Sequence, residues 1–592
     1  MKLAPAACLA LALAGAAPVA AQRSFGDVTR GSEVGTGLFT VYYKSDTAYL
    51  SLAPGQLDRD YLLVVQIAQG IGELGLDGGG TLRTDLIRFH REGDRLELWA
   101  VNPRIWAAPG TPMARTVSYS FGHSVAYAFP IAGERDGSIL IDLTPFLLSD
   151  WADVGTVFQT AMARRKLSGT VTLDEDRSSL QSLHLFAANL EAEVRLTFQS
   201  PRNLGIETIA DYRSIPIGIH YSLLELPATP MRPRLADDRV GYFVSAIKNF
   251  SRDTAESFFV RYVNRWRLEK RYPDEPVSEP VRPITYYIDR TVPIEWRPYV
   301  RAGILEWNRA FEQAGFQDAI RVLDAPDDTT WNAADARYSS IRWTANAGGA
   351  YAIGPTNVDP RTGEILNADV LISAAWIQRW RGQSGRYVSP LAAVEAMLSE
   401  DAVASGEDTR LCRYGEELSR SGTLVSAVMA ARGEIAAGGE PARAYIGQAL
   451  KALIMHEVGH TLGLRHNFRG SAGATASQLA DRGWTASHGL GVSVMDYSPP
   501  ALALDPKRQG DYYAPTIGSY DRWAITYGYA DVVIGSPVLS AAKGAGTVAE
   551  AWSPDVEANG LRAIASQAAN PAHLYGSDED AGFGAFGLDP TV

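Results

Sequence analysis

From about Gly37 to Leu226 apolar and polar residues mostly alternate with period two, and turn residues punctuate the runs. Leu38–Tyr43, Thr47–Leu52, Tyr61–Ile67 and Leu96–Val101 are predicted strands. Ser168–Leu173 and Ala192–Gln199 form a second strand group, and Asp77–Gly80 and Asp136–Gly137 are predicted turns. This half of the chain is expected to be an antiparallel β-rich region. A predicted helix follows near Asp253–Leu268, then an acidic, proline-containing linker over Tyr272–Pro283. Beyond it the period changes. Ile284–Ile288 is a predicted strand, and Pro298–Gln313 places Val300, Ile304, Trp307 and Phe311 on one helical stripe that ends at Ala314-Gly315. Ile320–Leu323, Ser340–Thr344, Ala350–Ile353 and Val370–Ser373 are further strands, and Asp359–Gly363 a turn. That order predicts an α/β unit with helices on a mostly parallel sheet. Gly382–Pro441 has the look of a partly helical insertion with acidic and glycine-rich loops, and no internal repeat is present.

Composition narrows the class. The 592 residues carry 55 Lys+Arg against 67 Asp+Glu, a net charge of −12, which argues against a nucleic-acid partner. Met1-Lys2, the apolar run Leu3–Val19 and the small residues Val19-Ala20-Ala21 form a secretory signal pattern, with Gln22 as the expected mature start. The run is short of the ~20 residues a spanning helix needs, and no later stretch is long and apolar enough. The chain is therefore expected in the periplasm or outside the cell. Its two cysteines are Cys8, in the signal, and Cys412, so the mature chain is expected to form no intrachain disulfide. The expected division is 1–21 signal, 22–275 β-rich region, and 276–592 α/β domain with an insertion at about 382–440.

The sharpest chemical signal is His456-Glu457-Val458-Gly459-His460-Thr461-Leu462-Gly463-Leu464-Arg465-His466. The residues before it are helical in pattern. His456 and His460, four apart, project from one helix face, a spacing that suits two ligands on one Zn²⁺. Glu457 neighbours the first ligand and reaches the same space. Gly463 allows the left-handed turn that returns His466 to the metal. Three imidazoles leave the fourth position open, which marks a catalytic rather than a closed structural site. With the glycine and third histidine fixed, chance occurrence falls to roughly 10⁻⁵. His90, His123, His184 and His220 are scattered without ligand spacing and read as ordinary polar or core histidines.

The long histidine motif followed by Ser493-Val494-Met495-Asp496-Tyr497 resembles the metzincin clan of zinc endopeptidases. The whole chain resembles a bacterial group of exported zinc-dependent metalloproteases in which a domain of unknown function precedes the peptidase domain. Gly37–Tyr42, Arg234–Phe243, Arg265–Lys270 and Tyr520–Ile525 extend the match. The resemblance implies a multidomain chain whose second part is a metzincin-like zincin domain, with a twisted, mostly parallel sheet, an active-site helix and a Met-turn. It implies His456, His460 and His466 as ligands of one Zn²⁺, Glu457 as general base, and Met495 as an apolar floor beneath the metal. Tyr497 resembles the tyrosine that some members place near zinc, as fifth ligand, oxyanion donor or neither. Ala350, Tyr351, Ala352 and Ile353 are the expected edge strand for an extended protein or peptide substrate, with a plain core strand the other reading. Relatives continue past a segment like Gly576–Asp580, so the sequence is also expected to be incomplete.

Two other function classes remain at this stage. One is an exported binding or scaffold protein with a structural or vestigial zinc site, against which the retention of Glu457 counts. The other is a zinc amidohydrolase acting on a non-protein substrate. Asp237 and Asp238 were candidates to cap the metal in a latent form, but a solvated turn or local salt bridge is the better reading. Asp578-Glu579-Asp580 lacks the spacing of a calcium loop, so Ca²⁺ has no support.

Overall fold

The computed structural model describes residues 24–44, 46–251, 257–327, 331–333, 335–345, 352–377, 425, 428–429, 432–433, 440–531 and 554–577. The expected signal segment, most of the expected insertion, Ala350-Tyr351 and Asp578–Asp580 lie outside them.

The period-two region forms one eleven-stranded sheet in which every neighbouring pair is antiparallel. Its central strands include β1 (Asp60–Gln69), β2 (Thr81–Glu92), β3 (Asn189–Gln199) and β4 (Ile215–Glu225). The two ends of the sheet approach each other where Leu38 N donates to Phe186 O at 2.6 Å, so the sheet curls into a near-barrel. Its interior is apolar and partly filled by helix α1 (Val154–Arg164), which inserts Phe158 and Met162. The last strand of the sheet, Thr172–Leu185, overlaps the expected Ser168–Leu173 run only at Thr172-Leu173.

The predicted helix over Asp253–Leu268 is not a helix where it is described. Val244–Asn249 (β5) and Phe259–Val263 (β6) pair antiparallel, and Arg265-Trp266 forms a short strand beside Glu364–Ala368. The alternation of exposed and buried residues along Phe259–Val263 is a strand period, and its aromatic and β-branched residues pack better on a pleated surface than on a helix.

A five-stranded sheet follows, in the order β8 (Ile320–Asp324), β7 (Ile284–Ile288), β9 (Ser339–Thr344), β11 (Val370–Ser373), β10 (Ala352–Ile353). All pairs are parallel except β10, the antiparallel edge. The stripe predicted as one helix is two, α2 (Arg297–Leu305) and α3 (Asn308–Gln313). The backbone at Glu306 and Trp307 stays in the helical region, but Arg309 N and Ala310 N bond three residues back and tighten the turn.

The long helix α4 (Glu440–Thr461) lies on this sheet and against α2. Gly303 permits the close approach, since a side chain there would lie 2.8 Å from Ile454 Cβ. Tyr286 on β7 hydrogen-bonds Thr461 on the helix at 2.7 Å. The near-barrel also meets this unit. Leu62, Val64, Leu86 and Leu224 on its outer face cluster with Ala336, while Thr84 bonds Asn357 at 3.1 Å and Gln66 lies 3.5 Å from Asp369. Most buried apolar residues fall into two cores, one inside the near-barrel and one around α4. The second core includes Val240, Tyr242, Val263 and Leu268 from upstream of the predicted linker.

Trp307 is fully buried in that second core and donates its indole N–H to Met455 O at 2.9 Å, one residue before His456. Trp307→Ala removes both the packing and the tether. It is expected to cost about 3–5 kcal/mol, read as a lowered urea midpoint by circular dichroism.

Candidate metal centre

Helix α4 carries His456, Glu457 and His460 in its last turns, and all three are buried. His456 Nδ1 donates to Val494 O at 2.8 Å, and His460 Nδ1 donates to Leu464 O at 2.9 Å. A carbonyl only accepts, so Nδ1 carries the proton in both rings and Nε2 keeps its lone pair for a metal. Burial, reinforced by the two neighbouring imidazoles, holds His456 well below its usual pKa, which favours the neutral form a ligand needs.

The helix ends in a two-bond cap. Gly463 N bonds His460 O and Leu464 N bonds Gly459 O, with Gly463 at φ +96°. The chain then reverses and returns His466. One ring nitrogen from each of His456, His460 and His466 lies within 4.8 Å of the others, and the set can hold a metal ion.

The turn after Gly463 is held by residues far upstream. Phe243 N donates to Gly463 O at 2.8 Å, and Arg465 N donates to Gly241 O at 2.9 Å. Tyr242 OH reaches Ala524 O, and Trp266 donates its indole N–H to Thr461 O, both at 2.8 Å. Any side chain at position 463 would collide with Asn264 O. Asp237 and Asp238 take no part. They pair with Arg239 and Arg261, the local salt bridges read from the sequence.

Residues 493–497 form the other wall. Met495 is fully buried, and its sulfur, with Trp307, occupies the space beside Gly459 where a side chain would stand. Tyr497 OH lies 3.0 Å from His466 Nε2, so the phenol faces the same centre as the imidazoles. Beneath them is Asp521, on helix α5 (Ser519–Tyr529), which the sequence placed in a matching block without a role. It accepts from Ser493 Oγ at 2.6 Å, Val494 N at 2.9 Å and Gly518 N at 2.7 Å. Burial pushes its carboxyl up to about 6 against the pull of those hydrogen bonds.

Of the expected substrate strand, Ala352-Ile353 is the outer strand of the sheet. Gly354 after it comes so close to α4 that a side chain there would lie 2.7 Å from Glu457 O and 3.4 Å from His460 Cβ.

This α/β unit presents three histidines from a helix and the turn behind it, a donor set that suits one metal ion. Residues 439–592 match the family model described as Met-zincin, and residues 79–271 match one described as a domain of unknown function. The chain thus carries a Met-zincin segment preceded by a domain of unknown function, as its sequence resemblance implied, and its histidine cluster fits a zinc site. No curated protein and no solved structure matches it.

Two outcomes follow. Gly463→Ala forces a side chain into a left-handed position against Asn264 O, so zinc retention against a competing chelator is expected to fall, together with a stability loss of about 1–3 kcal/mol. Asp521 has a higher pKa folded than unfolded, so its protonated form favours folding, a contribution fully present below pH 3.8 and lost as pH rises to about 6. Relative to Asp521→Asn, the parent is expected to gain stability as pH falls through this window. Paired urea titrations at several pH values check it.

Proposed function

We propose that this chain is an exported zinc-dependent metalloendopeptidase. The observation that carries the reading is the convergence of His456, His460 and His466 around one point, with Glu457 beside the first of them on the same buried helix. His456, His460 and His466 would hold the ion. Bound there, zinc supplies a Lewis acid that polarises a peptide carbonyl and brings the pKa of a water to about 7.

The chain's own residues supply the rest. Glu457 takes the proton of the attacking water and later delivers it to the leaving amine. Tyr497 donates its hydroxyl to the oxyanion that develops on the scissile carbonyl, a role consistent with a phenol 3.0 Å from His466 Nε2. Met495 keeps the floor of the site apolar and dry. Ala350–Ile353 receives the substrate as an added strand, a reading supported by the edge position of Ala352-Ile353. The export reading rests on Leu3–Ala21 in the sequence, and no helix among the described residues is long and apolar enough to cross a membrane. The division at residue 275 is kept as a division of sequence, while the packing of Val240, Tyr242 and Val263 joins the upstream segment to the catalytic core.

Glu457→Gln is expected to retain zinc while cleavage of an unfolded protein falls by roughly 10²–10⁴-fold, followed by mass spectrometry of the products. Near parental cleavage by the fully loaded variant would remove Glu457 as the base. A loaded parent that releases no peptides from any protein substrate would remove the peptidase reading itself.

A further inference from the structure

Phe243 stands at the histidine cluster but takes no part in it. Its ring centroid is 5.9 Å from that of His460, yet 42% of the residue is exposed. The backbone fixes it on both sides, since Phe243 N donates to Gly463 O and Asn264 N donates to Phe243 O. The backbone that carries the ring cannot shift without breaking these bonds. Val244, the next residue, is also exposed, at 40%. Single exposed apolar residues are ordinary. Phe243, fixed beside a buried imidazole, is an apolar surface at the edge of the site, whereas Val244 follows it in an extended strand whose side chains alternate between faces.

The placement also agrees with the path of an extended ligand. Gly354, after the edge strand, reaches the helix beside Glu457, whereas Phe243 reaches it beside Gly463. His460 lies between these two approaches. A peptide added to the edge strand passes His460, and its side chains alternate to either side.

We propose that Phe243 forms a specificity wall, on which an aliphatic or aromatic substrate side chain near the scissile bond packs. The substrate class is then extended polypeptide with a bulky apolar residue at that position. The inference rests on the peptidase reading for its link to cleavage, but the wall is testable as a binding surface. It assigns a recognition role to the upstream region, whose last residues reach into the site.

The test uses the full zinc-loaded chain carrying Glu457→Gln. Fluorescent Gly/Ser/Ala peptides, each with one Phe, Leu or Asp, are titrated by anisotropy. Peptides with Phe or Leu at one position are expected to bind about ten-fold or more tightly than the Asp peptide. Adding Phe243→Ser should erase that difference to within about two-fold, while Phe243→Leu should keep most of it. Zinc content and melting temperature verify each variant, and if the serine variant does not fold, the shift of preference from Phe to bulkier Trp peptides in the leucine variant is the readout. No apolar preference in the parent, or a preference unchanged in the variants, overturns the wall. A digest with Glu457 restored separates the two readings. Apolar-selective binding without cleavage leaves the wall and removes the peptidase, and cleavage without apolar selectivity does the reverse.

Discussion

Between His460 and His466 the chain must leave a helix, reverse, and bring an imidazole back to the face it has just left. Six residues suffice only if the helix ends at once in a left-handed turn, and Gly463 at φ +96° makes it. The geometry alone would tolerate asparagine at modest cost. Asn264 O and Tyr242 packed over the same spot remove that freedom, so glycine is required twice, by its dihedral angle and by the lack of space. Everything else in the site is arranged around this reversal. The segment 241–243 bridges to the turn, Trp266 holds the last carbonyl of the helix, and Tyr529 OH bonds Leu462 O.

A buried carboxylate performs the equivalent service for the opposite wall. Asp521 satisfies three donors of residues 493, 494 and 518, and Val494 in turn presents its carbonyl to His456. Orientation of one imidazole is thus traceable through a single residue, Val494, to a side chain on another helix. Desolvation makes that arrangement costly, as the raised pKa of Asp521 records. The protein accepts a strained electrostatic position to fix a hydrogen-bond acceptor where a metal ligand needs one.

Much of this was legible in the sequence, for identifiable reasons. The zinc motif packs its chemistry into eleven consecutive residues, so spacing alone carries it. The near-barrel shows in alternation, because its strands bury one face. Tyr61–Ile67 departs from alternation, and the structure explains why. Strand β1 is buried on both faces, with Leu63 and Val65 in the near-barrel and Leu62 and Val64 against the α/β unit. The run was a signal of contact between the two halves, but a signal without an address. The misplaced helix near Asp253 has a different origin, since strand pairing between 244–249 and 259–263 overrides any local preference. Arg234–Phe243 could be matched as a block yet not given a role, because its partners lie at Leu464, Ala524 and Tyr527.

Those partners also set a clock. The hydrogen bond from Arg234 to Tyr527 O closes a loop of 293 residues, and that from Gly241 to Tyr520 a loop of 279. At roughly 5–20 residues per second, a ribosome needs about 15–60 s to cover such a span. For most of that interval the segment that braces the histidine turn exists without anything to brace. Contacts this distant in the chain also form slowly once both ends are present. A histidine centre braced in this way cannot be completed until nearly all of the described chain has been made.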